Sequence, residues 1–159
     1  MGCGLIGSSW ATFFSSKGLS TRLYDVDRET CERGVDRART NLRTLVDLNC
    51  LPSSDLDAAL ANLQPVSSLE ELLHECDYVQ ESVLEDYETK AEVFRSVERH
   101  LPPQSIIASS SSGLLMSKMQ QALEHPERSL IAHPFNPPHL IPLVELVPGE
   151  ETSPESVTV

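Results

Sequence analysis

The chain is poor in positive charge. Twelve Lys and Arg stand against 24 Asp and Glu, a net charge of −12. Nucleic-acid binding needs a basic patch to neutralise phosphates, so this balance excludes that class of partner. It also argues against adhesion to an anionic membrane. No apolar run approaches the roughly 20 residues that span a bilayer. The first residues show no basic stretch followed by an apolar one, so no secretory signal peptide is expected. Cys3, Cys31, Cys50 and Cys76 form no C-x-x-C pair and no Cys/His cluster with zinc spacing, so no metal site is expected. A reduced, cytoplasmic protein is the simplest reading. Internal repeats and low-complexity stretches are missing as well.

What is present suits one ordinary domain: 159 residues, 40% of them hydrophobic and 23% charged. Short β-rich apolar runs alternate with longer helical patterns, which predicts βα units on a parallel sheet. Helices are expected over 5–17, where Gly18 stops the first, and over 28–48, where Asp27 can cap. Others are expected over 55–63, 66–73 after a very short strand, 87–100 and 114–123. Strands are expected over 21–26, 78–83, 105–109, 130–133 and 143–147. The tail after Gly149 is polar and expected to fray.

Three stretches carry chemistry. The first is Gly2-Cys3-Gly4-Leu5-Ile6-Gly7, followed by a helix and then a strand ending at Asp25, 18 positions beyond Gly7. In a dinucleotide fingerprint Gly2 permits the tight turn, Gly4 lets the backbone approach a pyrophosphate, and Gly7 lets the helix pack on the sheet. The phosphates then meet free N–H groups at the helix N-terminus. Asp25 would accept the ribose hydroxyls and repel a 2′-phosphate. The plainer alternatives are a loop-to-helix turn and a strand-end aspartate. Such a fingerprint should follow a strand, but only Met1 precedes Gly2, so the first strand is expected to be missing and the chain to be a fragment. The second stretch is Ala108-Ser109-Ser110-Ser111-Ser112-Gly113, which by itself reads equally as a polar turn. The third is His133-Pro134-Phe135-Asn136-Pro137-Pro138, with Glu145 following in an apolar strand. A histidine at a strand end faces the usual ligand crevice of an α/β fold. An ionised Glu among apolar neighbours needs a partner. A His133–Glu145 pair would satisfy both groups and favour the protonated imidazole, whether catalytic or merely structural.

Together these stretches, with Leu23-Tyr24-Asp25 and Gln80-Glu81-Ser82-Val83-Leu84-Glu85-Asp86, resemble the 3-hydroxyacyl-CoA dehydrogenases. The resemblance is greatest to their lambda-crystallin branch, which is similar to L-gulonate 3-dehydrogenase. It implies an α/β fold of Rossmann type, with a doubly wound, mostly parallel sheet, over residues 1–149. Residues 150–159 would then lead to a C-terminal helical domain lying outside the chain.

The resemblance also implies roles. Leu5 and Ile6 would meet the NAD pyrophosphate, and Asp25 the ribose. Glu85, Lys90, Ser112 and Asn136 would contact NAD. Ser112 would also orient the substrate hydroxyl, His133 would be the catalytic base and Glu145 its partner. The small-molecule substrate would be a 3-hydroxy acid such as gulonate. The alternatives are a CoA thioester of fatty-acid metabolism and a non-catalytic, crystallin-like NAD-binding protein. The resemblance implies a lysine-rich helix at this place in the thioester enzymes; the segment 28–48 has five Arg and no Lys, balanced by Glu29, Glu32, Asp36 and Asp47, which tilts the expectation towards a free acid. The parent protein would be a homodimer through the helical domain, and the fragment alone is expected to be inactive.

Overall fold

The computed structural model describes residues 1–158. From the glycine-rich turn the chain enters α1 (Leu5–Ser16), where Ser8, Ser9, Thr12 and Ser15 are buried. Their hydroxyls fold back onto carbonyls of the preceding turn, Ser8 onto Gly4 at 2.8 Å and Thr12 onto Ser8 at 2.8 Å. Satisfied in this way, these small side chains leave a thin face on which α2 (Arg28–Asp47) packs. Asp27 caps α2 by accepting from the amides of Glu29 and Thr30. Gly34 lies where α2 presses on the turn, and a Cβ there would sit 2.5 Å from the Cys3 carbonyl oxygen.

The strand expected over 21–26 is shorter, β1 (Thr21–Leu23). It stops because the next residues serve the glycine turn: the Tyr24 carbonyl accepts the Gly2 amide at 2.9 Å. The helix expected over 55–63 contracts to α3 (Leu56–Ala61), because Leu63 belongs to β2 (Leu63–Pro65). β2 pairs in parallel with β1, Thr21 opposite Leu63. These elements, with residues 135–143, make one compact unit, Met1–Ser68 and Phe135–Leu143. Its core includes Leu23, Val35, Ala38, Leu42 and Leu63.

The second unit is Leu69–Pro134 and Val144–Val159. It begins with α4 (Leu69–Leu73) and holds a four-stranded sheet in the order β3-β4-β5-β6. These strands are β3 (Tyr78–Glu81), β4 (Ile106–Ser109), β5 (Ser129–Pro134) and β6 (Val144–Pro148). The first three are parallel and β6 runs antiparallel to β5. Every residue of β4 is buried, as expected for an inner strand of a parallel sheet covered on both faces. Between β3 and β4 lies α5 (Tyr87–Glu98), capped by Asp86.

Two expectations fail in this unit. The helix over 114–123 shrinks to α6 (Met116–Met119), followed by a 3-10 turn over Gln120–Ala122. Its start is delayed because the Leu115 amide is held by the Tyr87 hydroxyl at 2.9 Å, and Leu115 stays extended. The tail does not fray. It forms α7 (Pro154–Thr158), and the Ser153 amide donates to the Glu127 carbonyl at 2.8 Å. Thr152 Oγ1 donates to the Ser129 carbonyl at 2.7 Å and receives the buried Gln120 amide at 2.9 Å. Tertiary hydrogen bonds hold a segment whose own composition does not.

The strands thus make an α/β fold, mostly parallel, in two sheets of two and four strands. Among the described residues no strand precedes Gly2. No described helix is long and apolar enough to cross a membrane.

Candidate active site

The first unit holds Gly2, Gly4, Leu5, Ile6, Gly7, Asp25 and Asn136. Gly2 takes φ 80°, a left-handed conformation that favours glycine. This lets the Cys3 amide reach Asp25 Oδ2 at 2.8 Å, while Asp25 Oδ1 accepts the Asp27 amide at 3.1 Å. Asp25 therefore pins the turn and keeps further acceptor capacity on each oxygen. The Cys3 thiol is pushed up to about 12, burial being the main cause, so it is protonated and unreactive beside Cys31.

Gly4 is the N-cap of α1 and supplies no side-chain cap, and a Cβ on it would meet nothing within 4 Å. A 12-residue helix thus begins with its first amides uncapped, next to a position open to close approach. That arrangement fits a dinucleotide pyrophosphate, and Asp25 at the end of β1 fits a ribose. Leu5 is 67% exposed, Ile6 and Gly7 are half-buried, and Asn136 is exposed in the loop 135–143.

The second unit holds Glu85, Lys90, Ser112, His133 and Glu145. Glu85 Oε1 accepts the Ser111 hydroxyl and the amides of Ser112 and Gly113, both at 3.0 Å. Burial pushes the Glu85 carboxyl up. The Ser111 hydroxyl, the Gly113 amide, the Lys90 ammonium and the Ser112 amide outweigh it and hold the carboxyl below its ordinary range. Lys90 has a side chain only 1% exposed, and its ammonium lies 3.4 Å from Glu85 and 2.7 Å from Glu81. Glu81 is itself fully buried, and the resemblance of the Gln80–Asp86 stretch implies no role for it. The signal for it is the one that marks Glu145, an acid within an apolar strand that needs a partner.

His133 and Glu145 face each other across β5 and β6 as directly paired residues. The antiparallel return of β6 converts a spacing of 12 residues into a contact of 3.1 Å between Nδ1 and Oε2. The two side chains are 29% and 59% exposed, so the pair is reachable from solvent. With Nδ1 engaged by a carboxylate, the imidazole has a fixed orientation, which is what a general base requires.

The family model of the 3-hydroxyacyl-CoA dehydrogenase NAD-binding domain matches residues 1–159. A lambda-crystallin homolog of Rattus norvegicus is 36% identical over 158 residues, covering 99% of this chain and 50% of that protein. An L-carnitine dehydrogenase of Oceanobacillus iheyensis is 37% identical over 155 residues, covering 98% of the chain and 49% of that protein. Among solved structures, a 3-hydroxybutyryl-CoA dehydrogenase of Escherichia coli superposes with a TM-score of 0.92 at 29% identity. That match covers 99% of this chain and 33% of that one. The chain spans about half the length of the curated relatives it matches.

Proposed function

The chain belongs to the 3-hydroxyacyl-CoA dehydrogenase family as its NAD-binding domain, and from that premise we propose that the protein oxidises a 3-hydroxy acid with His133 as the proton acceptor. The observation that carries this reading is the His133–Glu145 contact of 3.1 Å at the end of β5. A carboxylate on Nδ1 directs proton uptake to Nε2. His133 therefore takes the substrate hydroxyl proton at Nε2, while Glu145 stabilises the imidazolium that forms. NAD, when bound, supplies the acceptor for the hydride leaving the carbinol carbon. Ser112 orients the substrate hydroxyl, and the amide of its own backbone is steadied by Glu85.

On the cofactor side, Gly2, Gly4, Leu5, Ile6 and Gly7 hold the pyrophosphate and Asp25 the ribose. Glu85, Ser112 and Asn136 serve the nicotinamide end. Lys90 takes part through Glu85, because its ammonium is buried.

A free acid is favoured over a CoA thioester. Three of the five arginines on α2 spend their charge on acids nearby: Arg28 on Glu32, Arg33 on Glu29 and Asp27, and Arg39 on Asp36. That leaves the helix with little net attraction for the CoA phosphates. The relatives named for carnitine and for 3-hydroxybutyryl-CoA suggest a hydroxyl on the carbon β to a carboxyl group or thioester. A cytoplasmic homodimer assembled through a helical domain completes the proposal, since relatives about twice this length have room for one.

The test is NADH formation from 3-hydroxy acids and from 3-hydroxybutyryl-CoA by the full-length parent protein. His133→Gln should lower kcat by about 10²- to 10⁴-fold with little change in NAD affinity, the usual range for a lost general base. Glu145→Gln should lower kcat as well, and the two losses should not add, because the residues act as one unit. If His133→Gln unfolds the protein while Glu145→Gln leaves the rate untouched, the pair is structural and the proposal fails.

A further inference from the structure

Glu81 and Lys90 are buried to 0% and 1% exposure, and the proton transfer proposed above uses neither. We propose that they are positioning residues, acting through Glu85 to fix the backbone at Ser112 and Gly113. The functional meaning of this inference rests on the reading of Ser112 as the group that orients the substrate hydroxyl.

The connection runs through two charge-assisted hydrogen bonds to Glu81 and an ion pair to Glu85. Lys90 Nζ lies 2.7 Å from Glu81 Oε1, 2.9 Å from Oε2, and 3.4 Å from Glu85 Oε2. With its side chain 1% exposed, Lys90 is enclosed between the two carboxylates. Its effect is carried outward by Glu85, whose other oxygen gathers the Ser111 hydroxyl and the amides of Ser112 and Gly113.

Glu81 sets where both approaching strands end. Its Oε1 accepts the Val83 amide at 2.6 Å, two residues before Glu85. Its Oε2 accepts the Ser109 hydroxyl at 2.6 Å, where β4 gives way to the serine loop. One buried carboxylate thus fixes the segment that carries Glu85 and the start of the loop that Glu85 holds. A staple of β3 to α5 would need only the Glu81–Lys90 pair. The third contact, to a carboxylate whose side chain is 41% exposed, links that pair to the loop.

The test replaces the pair together, as Glu81→Gln with Lys90→Met, since removing one partner would strand a buried charge. Gln keeps an acceptor for Val83 and Ser109, and Met keeps the apolar stem. Carbon-detected NMR reads the Glu85 carboxyl, and amide hydrogen exchange reads the loop. In the folded double variant Glu85 should titrate at a higher pH than in the wild type. Exchange at Ser112 and Gly113 should speed up by about fivefold or more, the equivalent of one hydrogen bond. A folded double variant with both readouts unchanged would overturn the inference and leave the pair a staple.

Should that variant fail to fold, the Lys90 Nζ resonance is compared in the wild type and in Glu85→Gln, a change at the exposed end of the relay. The inference requires that resonance to move and the Ser112 and Gly113 amides to exchange faster. If they do not respond, the inference falls. A wild-type protein that shows these couplings but binds no NAD would sink the functional reading and leave the relay standing.

Discussion

Glu85 shows how a single carboxylate can organise a loop while staying partly in water. Burial alone would raise its proton affinity. The Ser111 hydroxyl, the Gly113 amide, the Lys90 ammonium and the Ser112 amide reverse that and hold it below the ordinary carboxylate range. A carboxyl lowered in the folded state contributes stability that is present above the unfolded value and lost as pH falls through the folded one. The serine loop should therefore hold its order at neutral pH and lose it on acidification below the pH at which an ordinary glutamate titrates. Amide exchange at Ser112 and Gly113 as a function of pH checks this, and Glu85→Gln should flatten the dependence. Protection that persists unchanged well below that pH would contradict it. Lys90 makes the complementary point. Only the family resemblance marks it as a group near the cofactor, and its burial decides how it can act.

At the scale of elements, the two helices at the N-terminal end are set by local chemistry and were legible in the sequence. Gly18 closes α1, and Asp27 caps α2 through the amides of Glu29 and Thr30. α6 and the tail were not legible in the same way. Their form depends on the Tyr87 hydroxyl, the Gln120 side chain and the carbonyls of Glu127 and Ser129, all distant in sequence or facing inward. The candidate site divides along the same line. The glycine turn, Asp25 and the His133–Glu145 pair announce themselves by residue type and spacing. Glu81 does not, because only the fold brings it to Lys90.

The tightest contact between elements is that of α2 with the glycine turn. A methyl group at position 34 would meet the Cys3 carbonyl oxygen at 2.5 Å and the Cys3 Cβ at 2.7 Å. Neither atom is the far end of a flexible side chain, so either the helix or the turn must move. Gly34→Ala should destabilise the protein by about 1–3 kcal/mol, as overpacking generally does. It should also weaken NAD binding, because the displaced turn is the one proposed to hold the pyrophosphate. Thermal unfolding and a binding isotherm read the two effects, and a variant with an unchanged Tm would show that the contact relaxes freely.

For the whole molecule, acidic charge, a mostly parallel α/β architecture and the family match agree on an NAD-binding domain of an oxidoreductase family. The α/β pattern was legible because strand and helix periodicities alternate along the chain. Its division into two sheets follows from which strands the described residues contain, a matter of topology that local pattern does not express. The central claim is that the Gly2–Gly7 turn and Asp25 hold NAD. It is tested most directly by calorimetric titration of the protein with NAD and with NADP, repeated on Asp25→Ala. The proposed role of Asp25, accepting the ribose hydroxyls and repelling a 2′-phosphate, predicts that NAD binds at least tenfold more tightly than NADP, about 1.4 kcal/mol. It also predicts that Asp25→Ala narrows that gap. Equal affinity for the two dinucleotides, or no binding of NAD by the folded wild-type protein, would contradict it.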